Sequence, residues 1–185
     1  RIVDALNSLG VEALALHSLT SCVLFAQRLY LSGDDGRRID IGRVGQVQEV
    51  NAKILRLLCQ ADTIPVIAPI ARDHSGGKLN VNADTAAGHV AAAVHAEKLV
   101  MVSDTHGIRT EKENPDSFCP SLNRQEIADL MQRGIIDKGM IPKVEACLRA
   151  LDAGTREAHI IDGRIPHSLL LEIFTDKGVG TQIQP

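Results

Sequence analysis

Between residues 83 and 162 the chain switches repeatedly between two hydrophobic periods, and this switching restricts its fold more than any other feature. Residues 83–97 read as an alanine-rich helix, and residues 98–103 (K-L-V-M-V-S) as a nearly continuous apolar strand. A strand apolar on both faces must be covered on both, which is the situation of a parallel strand between helical layers. Helices are predicted again at residues 124–133 and 140–153, then the strand A-H-I-I-D-G from Ala158. A helix over about 166–175 and a closing edge strand in G-V-G-T-Q-I complete the pattern. The expected class is α/β: an open, mainly parallel sheet sandwiched by crossover helices.

The first half follows a looser version of the same pattern. A helix over residues 1–9 stops at Gly10, and V-E-A-L-A-L reads as a strand. Within residues 18–31, C-V-L-F-A-Q-R-L-Y-L reads as one long strand or two, followed by the turn S-G-D-D-G at 32–36. The glycines of I-D-I-G-R-V-G-Q-V-Q-E-V imply bulges or a tight bend. An amphipathic helix is predicted over 51–61, a buried strand over 63–70, a hairpin or loop in A-R-D-H-S-G-G-K-L, and a polar loop over 104–116.

Composition removes several function classes. With 20 Lys plus Arg against 23 Asp plus Glu the net charge is −3, so no basic excess is available for a polyanion, and nucleic-acid binding is disfavoured. One Tyr, three Phe and no Trp leave little to stack on bases. No apolar run approaches the ~18 residues of a membrane span, and no signal peptide is visible. Four cysteines (22, 59, 119, 147) without a C-x-x-C pair read as reduced, mostly buried thiols of a cytoplasmic protein rather than a zinc site or disulfide framework. The first residue is Arg1, not Met, within a predicted helix, so a preceding segment is expected.

Phosphate-loop, dinucleotide, nucleophile-elbow and zinc-helix motifs are all absent from the sequence. No metal ligands are assigned, and His89 and His95, six apart, fall on different faces of their helix. Ligands of an open parallel sheet gather where strand ends run into helix N-termini. Three such junctions are unusually polar: residues 80–84, the loop from Ser103, and the turn before Met140. In L-N-V-N-A-D-T-A-A, Asn80, Asn82 and Asp84 alternate; one of them serves as helix cap, and an extended approach would turn all three to one side. In G-M-I-P-K-V, Lys143 opposes the helix dipole near an N-terminus, a local cost that an anionic ligand reverses. An ordinary exposed helix lysine is the competing explanation.

These two blocks, with L-V-M-V-S-D-T-H-G-I from Leu99 and H-I-I-D-G-R-I-P-H-S-L-L-L-E-I-F from His159, resemble the amino-acid kinase family, most closely its acetylglutamate kinases. D-I-G-R-V-G-Q-V from Asp40 is similar to the family's hairpin region, so the likeness runs nearly unbroken from there to the end. The resemblance implies a carbamate-kinase-like fold, with residues 1–97 belonging to an amino-acid-binding lobe and 98–185 to a nucleotide-binding lobe. It implies ATP- and Mg²⁺-dependent phosphorylation of the side-chain carboxylate of N-acetyl-L-glutamate in arginine biosynthesis. Asn80 and Asn82 would then bind the acetylated amino acid, Asp84 would organise catalytic lysines, and Lys143 would contact the migrating phosphoryl group. Ser103, Asp104, Gly139 and Met140 would lie at the nucleotide. His159, Glu172 and Gly178 resemble positions of an arginine effector site, and a homo-oligomer, dimer or hexameric trimer of dimers, is the family habit.

The sequence also departs from the family. A first strand with a catalytic Lys and Gly pair, a glycine-rich loop and a carboxylate-gripping Arg have no counterpart here, and the 17–31 segment is unusual. Two further readings remain: an aminoadipate-type kinase sharing N-V-N-A-D, and a non-catalytic nucleotide- or arginine-binding remnant. The 185-residue chain by itself is expected to give no acyl phosphate in a hydroxamate-trapping assay, and turnover there would refute the assignment of essential chemistry to the family's first strand and glycine loop.

Overall fold

The computed structural model describes residues 1–17, 21–33, 36–114, 117–175 and 178–185. It divides into two compact units, Arg1–Val94 and His95–Pro185. The first contains α1 (Ile2–Ser8), β1 (Ala13–Leu16), β2 (Leu24–Ser32), β3 (Arg38–Val50), α2 (Ala52–Gln60), β4 (Ile64–Ile67), β5 (Ile70–Arg72), β6 (Lys78–Asn80) and α3 (Ala83–Val94). The second contains β7 (Lys98–Ser103), β8 (Ser121–Leu122), α4 (Arg124–Gln132), α5 (Ile141–Asp152), β9 (Glu157–Asp162), α6 (Ser168–Phe174) and β10 (Gly180–Ile183). No described helix is long and apolar enough to cross a membrane.

In the first unit β1 and β4 pair in parallel, Ala13 opposite Ile64, and β2, β3, β6 and β5 close into a small barrel. The apolar segment that reads as one or two strands is the single β2, antiparallel to a long β3, with register shifts between Phe25 and Ala26 and between Arg28 and Tyr30. These irregularities bend the hairpin, as the glycine pattern led one to expect. Leu24 and Ala26 from β2, Val47 from β3, Leu55 from α2, Leu79 from β6 and Ala86 from α3 make its core.

The buried strand expected over 63–70 is instead two short ones. Pro69 lacks the N–H needed to continue a ladder, so β4 ends at Ile67 and β5 starts at Ile70; Ile64 is 44% exposed. Of the two alternatives for the segment 71–79, hairpin or loop, the structure shows the hairpin, closed by Asp73, whose carboxylate accepts from the Ser75 hydroxyl and the amides of Ser75 and Gly77. Of the turn expected at 32–36, Asp34 and Asp35 lie outside the described residues, as do residues 18–20 of the 18–31 segment and the end of the 104–116 loop.

In the second unit the strand order is β7-β9-β10-β8. β7 and β9 are parallel, with Leu99 opposite Ala158, and β10 runs antiparallel to β9. α5 packs against both β7 and β9, burying Val144, Cys147, Ala150 and Leu151, while Ala158, Ile160 and Ile161 of β9 are fully buried. The last strand is not at the edge: β10 lies between β9 and the two-residue β8, too short to leave a periodic signal. An Asn123–Glu126 capping box starts α4, the side chain of each accepting from the other's backbone amide. The cysteines are free thiols, but only Cys147 is buried; Cys22 and Cys119 are half-buried and Cys59 is exposed.

Leu79 holds the first core directly beneath the Asn80 corner and is 2% exposed. Leu79→Ala is expected to cost about 2–5 kcal/mol of stability, measured as a lowered urea midpoint with little change in slope.

Candidate functional site

The first polar junction is the corner where β6 gives way to α3. Asn80 and Asn82 are exposed on either side of Val81, which is 3% exposed and anchors the chain to the core. Asn82 is the cap: its Oδ1 accepts from the Thr85 amide at 2.9 Å and the Thr85 hydroxyl at 3.2 Å. Its NH₂ group remains a donor suited to a ligand oxygen. The expectation that all three polar side chains share one extended segment is corrected here, because the helix starts at Ala83. Asp84 sits half-buried in the first helical turn, where the helix dipole favours a negative charge.

The second unit carries the other predicted residues. Lys143 lies in the first turn of α5, half-buried, three residues after the cap Met140 and just after Pro142. The turn before it is built by Asp137, which the sequence reading missed. Asp137 Oδ1 accepts from the amides of Gly139 and Met140, both at 3.0 Å. Those two amides are therefore already engaged within the turn. Met140 and Asp137 line a cavity of about 290 Å³ together with the apolar Ile135 and Ile136 and the cationic Arg109 and Lys112. Ser103 and Asp104 lie just before this cavity's loop, the Ser103 hydroxyl 3.5 Å from Asp104 Oδ1, and do not line it.

His159, Glu172 and Gly178 are brought together. Glu172 is 7% exposed, on the single buried stripe of α6 with Ser168. His159 Nδ1 meets Glu172 Oε1 at 2.5 Å, and the Val179 amide donates to Oε2 at 2.6 Å. Gly178 has φ +58°, and a Cβ there would lie 2.8 Å from Glu172 Oε2, so only glycine lets the chain wrap the carboxylate this closely. Glu157 and Lys98 extend the cluster: Lys98 Nζ lies 2.9 Å from Glu157 Oε2, and His159 Nε2 lies 3.3 Å from the same oxygen. The ammonium of Lys98 holds the Glu157 carboxyl below the usual range. Together they border a cavity of about 340 Å³. Lys98 and Glu157 escaped the sequence reading, although E-A-H placed two polar side chains on one face of a strand and Lys98 pairs with Glu157 in register.

Asp162, at the end of β9, is a second buried carboxylate, 1% exposed. Arg164 Nε and Nη2 donate to it at 2.9 and 2.7 Å, the Arg164 amide at 2.9 Å, and His106 Nδ1 lies 3.1 Å away. The Arg164 guanidinium thereby lowers the Asp162 pKa to about 2, while Arg164 itself is raised. Among the described residues no group of three or more His, Cys, Asp or Glu is placed to hold a metal ion.

This is an α/β protein with its polar side chains collected where strands end and helices begin. The sequence profile of the Amino acid kinase family matches residues 1–162, and the chain belongs to that family. It is 46% identical over 183 residues to an acetylglutamate kinase of Symbiobacterium thermophilum, covering 98% of this chain and 62% of that protein. To an acetylglutamate kinase of Synechococcus elongatus it is 49% identical over 159 residues, covering 82% and 53%. The chain thus spans about three fifths of the length of the first of these relatives. Among solved structures, an N-acetylglutamate synthase of Neisseria gonorrhoeae complexed with coenzyme A and L-arginine superposes with a TM-score of 0.77 at 26% identity, over 94% of this chain and 38% of that one. A carbamate kinase of Giardia lamblia shares the fold with a TM-score of 0.62 at 16% identity, over 98% and 54%.

The lowered Asp162 pKa gives a signed prediction. Because the folded value lies below the ordinary 3.8, its pairing stabilises the fold fully above about pH 4, and that contribution is lost as pH falls toward 2. Asp162→Asn is expected to lower the melting temperature at neutral pH and to flatten its fall between pH 4 and pH 2, measured by circular dichroism.

Proposed function

We propose that this chain forms part of an acetylglutamate kinase, which transfers the γ-phosphoryl group of ATP to the side-chain carboxylate of N-acetyl-L-glutamate. The observation that carries the reading is the 46% identity to an acetylglutamate kinase over 98% of the chain. The polar corner at Asn80–Asp84 and the lysine opening α5 supply suitable chemistry. In the step, a carboxylate oxygen of the acceptor attacks the γ-phosphorus while the bond to the bridging oxygen of ADP breaks. The products are an acyl phosphate and ADP, and no proton needs to be removed from an ionised carboxylate.

Such a transfer asks the protein for in-line positioning and for cations around the equatorial oxygens. Lys143 provides the ammonium, at a helix N-terminus whose dipole also favours the phosphate. Asn80 and Asn82 donate to the acceptor's carboxylate and acetamide oxygens without adding negative charge. Asp84 orients catalytic ammonium groups and limits their mutual repulsion. The cavity beside Met140 suits a nucleotide, its isoleucines meeting a base and Arg109 and Lys112 meeting phosphates. Mg²⁺ fits as a passenger on the nucleotide's phosphates, since it binds readily through phosphate oxygens and water rather than a protein cage. A cytoplasmic setting and self-association as a dimer or trimer of dimers form part of the proposal.

The Glu172 cavity is proposed as an effector site for arginine. A guanidinium matches a carboxylate bidentately, and Glu172 lies in a cradle shaped by Gly178. The resemblance in fold to a synthase complexed with L-arginine supports this choice of ligand.

In the full natural protein, Lys143→Ala is expected to reduce kcat by about 10²–10³-fold in a hydroxamate assay with little change in KM for the amino acid. Asn80→Ala is expected chiefly to raise KM for N-acetyl-L-glutamate. A substrate panel in which an aminoadipate derivative outpaces N-acetyl-L-glutamate would overturn the choice of acceptor. Unaltered kcat in Lys143→Ala would remove that residue from the mechanism.

A further inference from the structure

The loop after β7 is fastened to the start of β10 by a single buried hydroxyl. Thr181 is fully buried. Its Oγ1 accepts from the Ile108 amide at 2.8 Å and donates to the Cys119 carbonyl at 2.7 Å. Gly107, with φ +139°, lies against it so closely that a Cβ there would fall 2.5 Å from the hydroxyl oxygen. Three stretches of backbone, at residues 107–108, 119 and 181, therefore share one hydrogen-bonding centre.

Two separate cavities border those stretches. Gly107 and Ile108 line the cavity beside Met140. Gly180 and Gln182, on either side of Thr181, line the Glu172 cavity together with Pro120 and Ser121, which follow Cys119. The Thr181 hydroxyl thus links Ile108 of one wall to the strand whose Gly180 and Gln182 line the other.

We propose that Thr181 is a positioning residue through which occupancy of the Glu172 cavity alters affinity for a nucleotide in the Met140 cavity. The proposal rests on the reading of both cavities as ligand sites given above. The contact that differs between the two states is at Glu172, whose Oε2 accepts from the Val179 amide at 2.6 Å. A guanidinium docking on that carboxylate competes for the same oxygen. Val179 is two residues from Thr181, so releasing its amide shifts the start of β10, and the hydroxyl carries the shift to the Ile108 amide. A ligand can bias a second site only through such a differential contact, and the bias is reciprocal.

Calorimetry on the 185-residue chain tests this. The Kd for ATP with Mg²⁺ is measured with and without saturating L-arginine. The unmodified chain is expected to show a change of about fivefold or more. Thr181→Ser, which keeps the hydroxyl, should preserve the ratio. Thr181→Val, which keeps the branched shape but removes the donor and acceptor, should bring the ratio close to one while each ligand still binds alone. A general loss of stability lowers the melting temperature but does not equalise the two Kd values. Retention of the full ratio in Thr181→Val overturns the proposal, as does binding of both ligands to the unmodified chain with no coupling. Failure of either ligand to bind the unmodified chain defeats the reading of that cavity and the inference with it. Should Thr181→Val not fold, hydrogen exchange on the unmodified chain decides: arginine must change protection of the Ile108 amide, and unchanged protection overturns the proposal.

Discussion

A carboxylate removed from water must be met by hydrogen-bond donors, and the loops of the second unit are arranged to meet two of them. The effective penalty for burying such an ion is several kcal/mol, while a hydrogen bond to a charged group contributes about 1.5–3 kcal/mol. Two or three donors are therefore needed before the chain folds around one. At the surface, where no such penalty arises, Asp137 gathers the amides of Gly139 and Met140 and shapes the turn into α5. Asp162 gathers the fork and amide of Arg164 and fixes the turn after β9. Glu172 gathers His159 and the Val179 amide, and so draws the segment entering β10 against α6.

The first unit solves the equivalent problem with amides. Its polar corner follows a three-residue strand and is pinned by the buried Leu79 and Val81 on either side of Asn80. Asn80 and Asn82 remain exposed and neutral, and Asn82 closes the helix N-terminus with its oxygen alone. The same carboxamide thus stabilises α3 and leaves donors at the surface. That double use explains why capping and ligand binding compete as explanations of N-V-N-A-D and need not exclude one another.

How much could be read in advance follows from which forces leave a local trace. β7, β9, α4 and α5 were legible because their burial repeats along the sequence at strand or helix spacing. β8 was not, since two residues held by Gln182 and Ile183 from across the sheet have no period of their own. The split of 63–70 turned on one missing N–H at Pro69, and the small barrel on pairings such as Val44 with Asn80 that join distant stretches. Among candidate residues, the His159–Glu172–Gly178 group came from likeness to a family rather than from spacing, because 13 residues separate the first two in sequence and the packing of α6 on β9 brings them together. Asp137 left an Asp two residues before a Gly, a turn signal that was available and went unused.

The two deeply buried carboxylates differ in a way that separates structure from ligand binding. Asp162 meets a guanidinium supplied by its own chain, with Nε and Nη2 in the paired geometry that such a group makes best. An added cation would have to displace Arg164, and nothing in the surrounding turn would compensate. Glu172 is nearly as deeply buried, yet its partners are an imidazole and one backbone amide, and Gly178 and Gly180 leave part of the wall of the cavity beside it without a side chain. Part of the carboxylate's acceptor capacity is therefore met only by neutral or titratable groups. A planar cation entering that space would give Glu172 what Arg164 gives Asp162, and the strongest hydrogen bonds open to the site would form only when the ligand arrives.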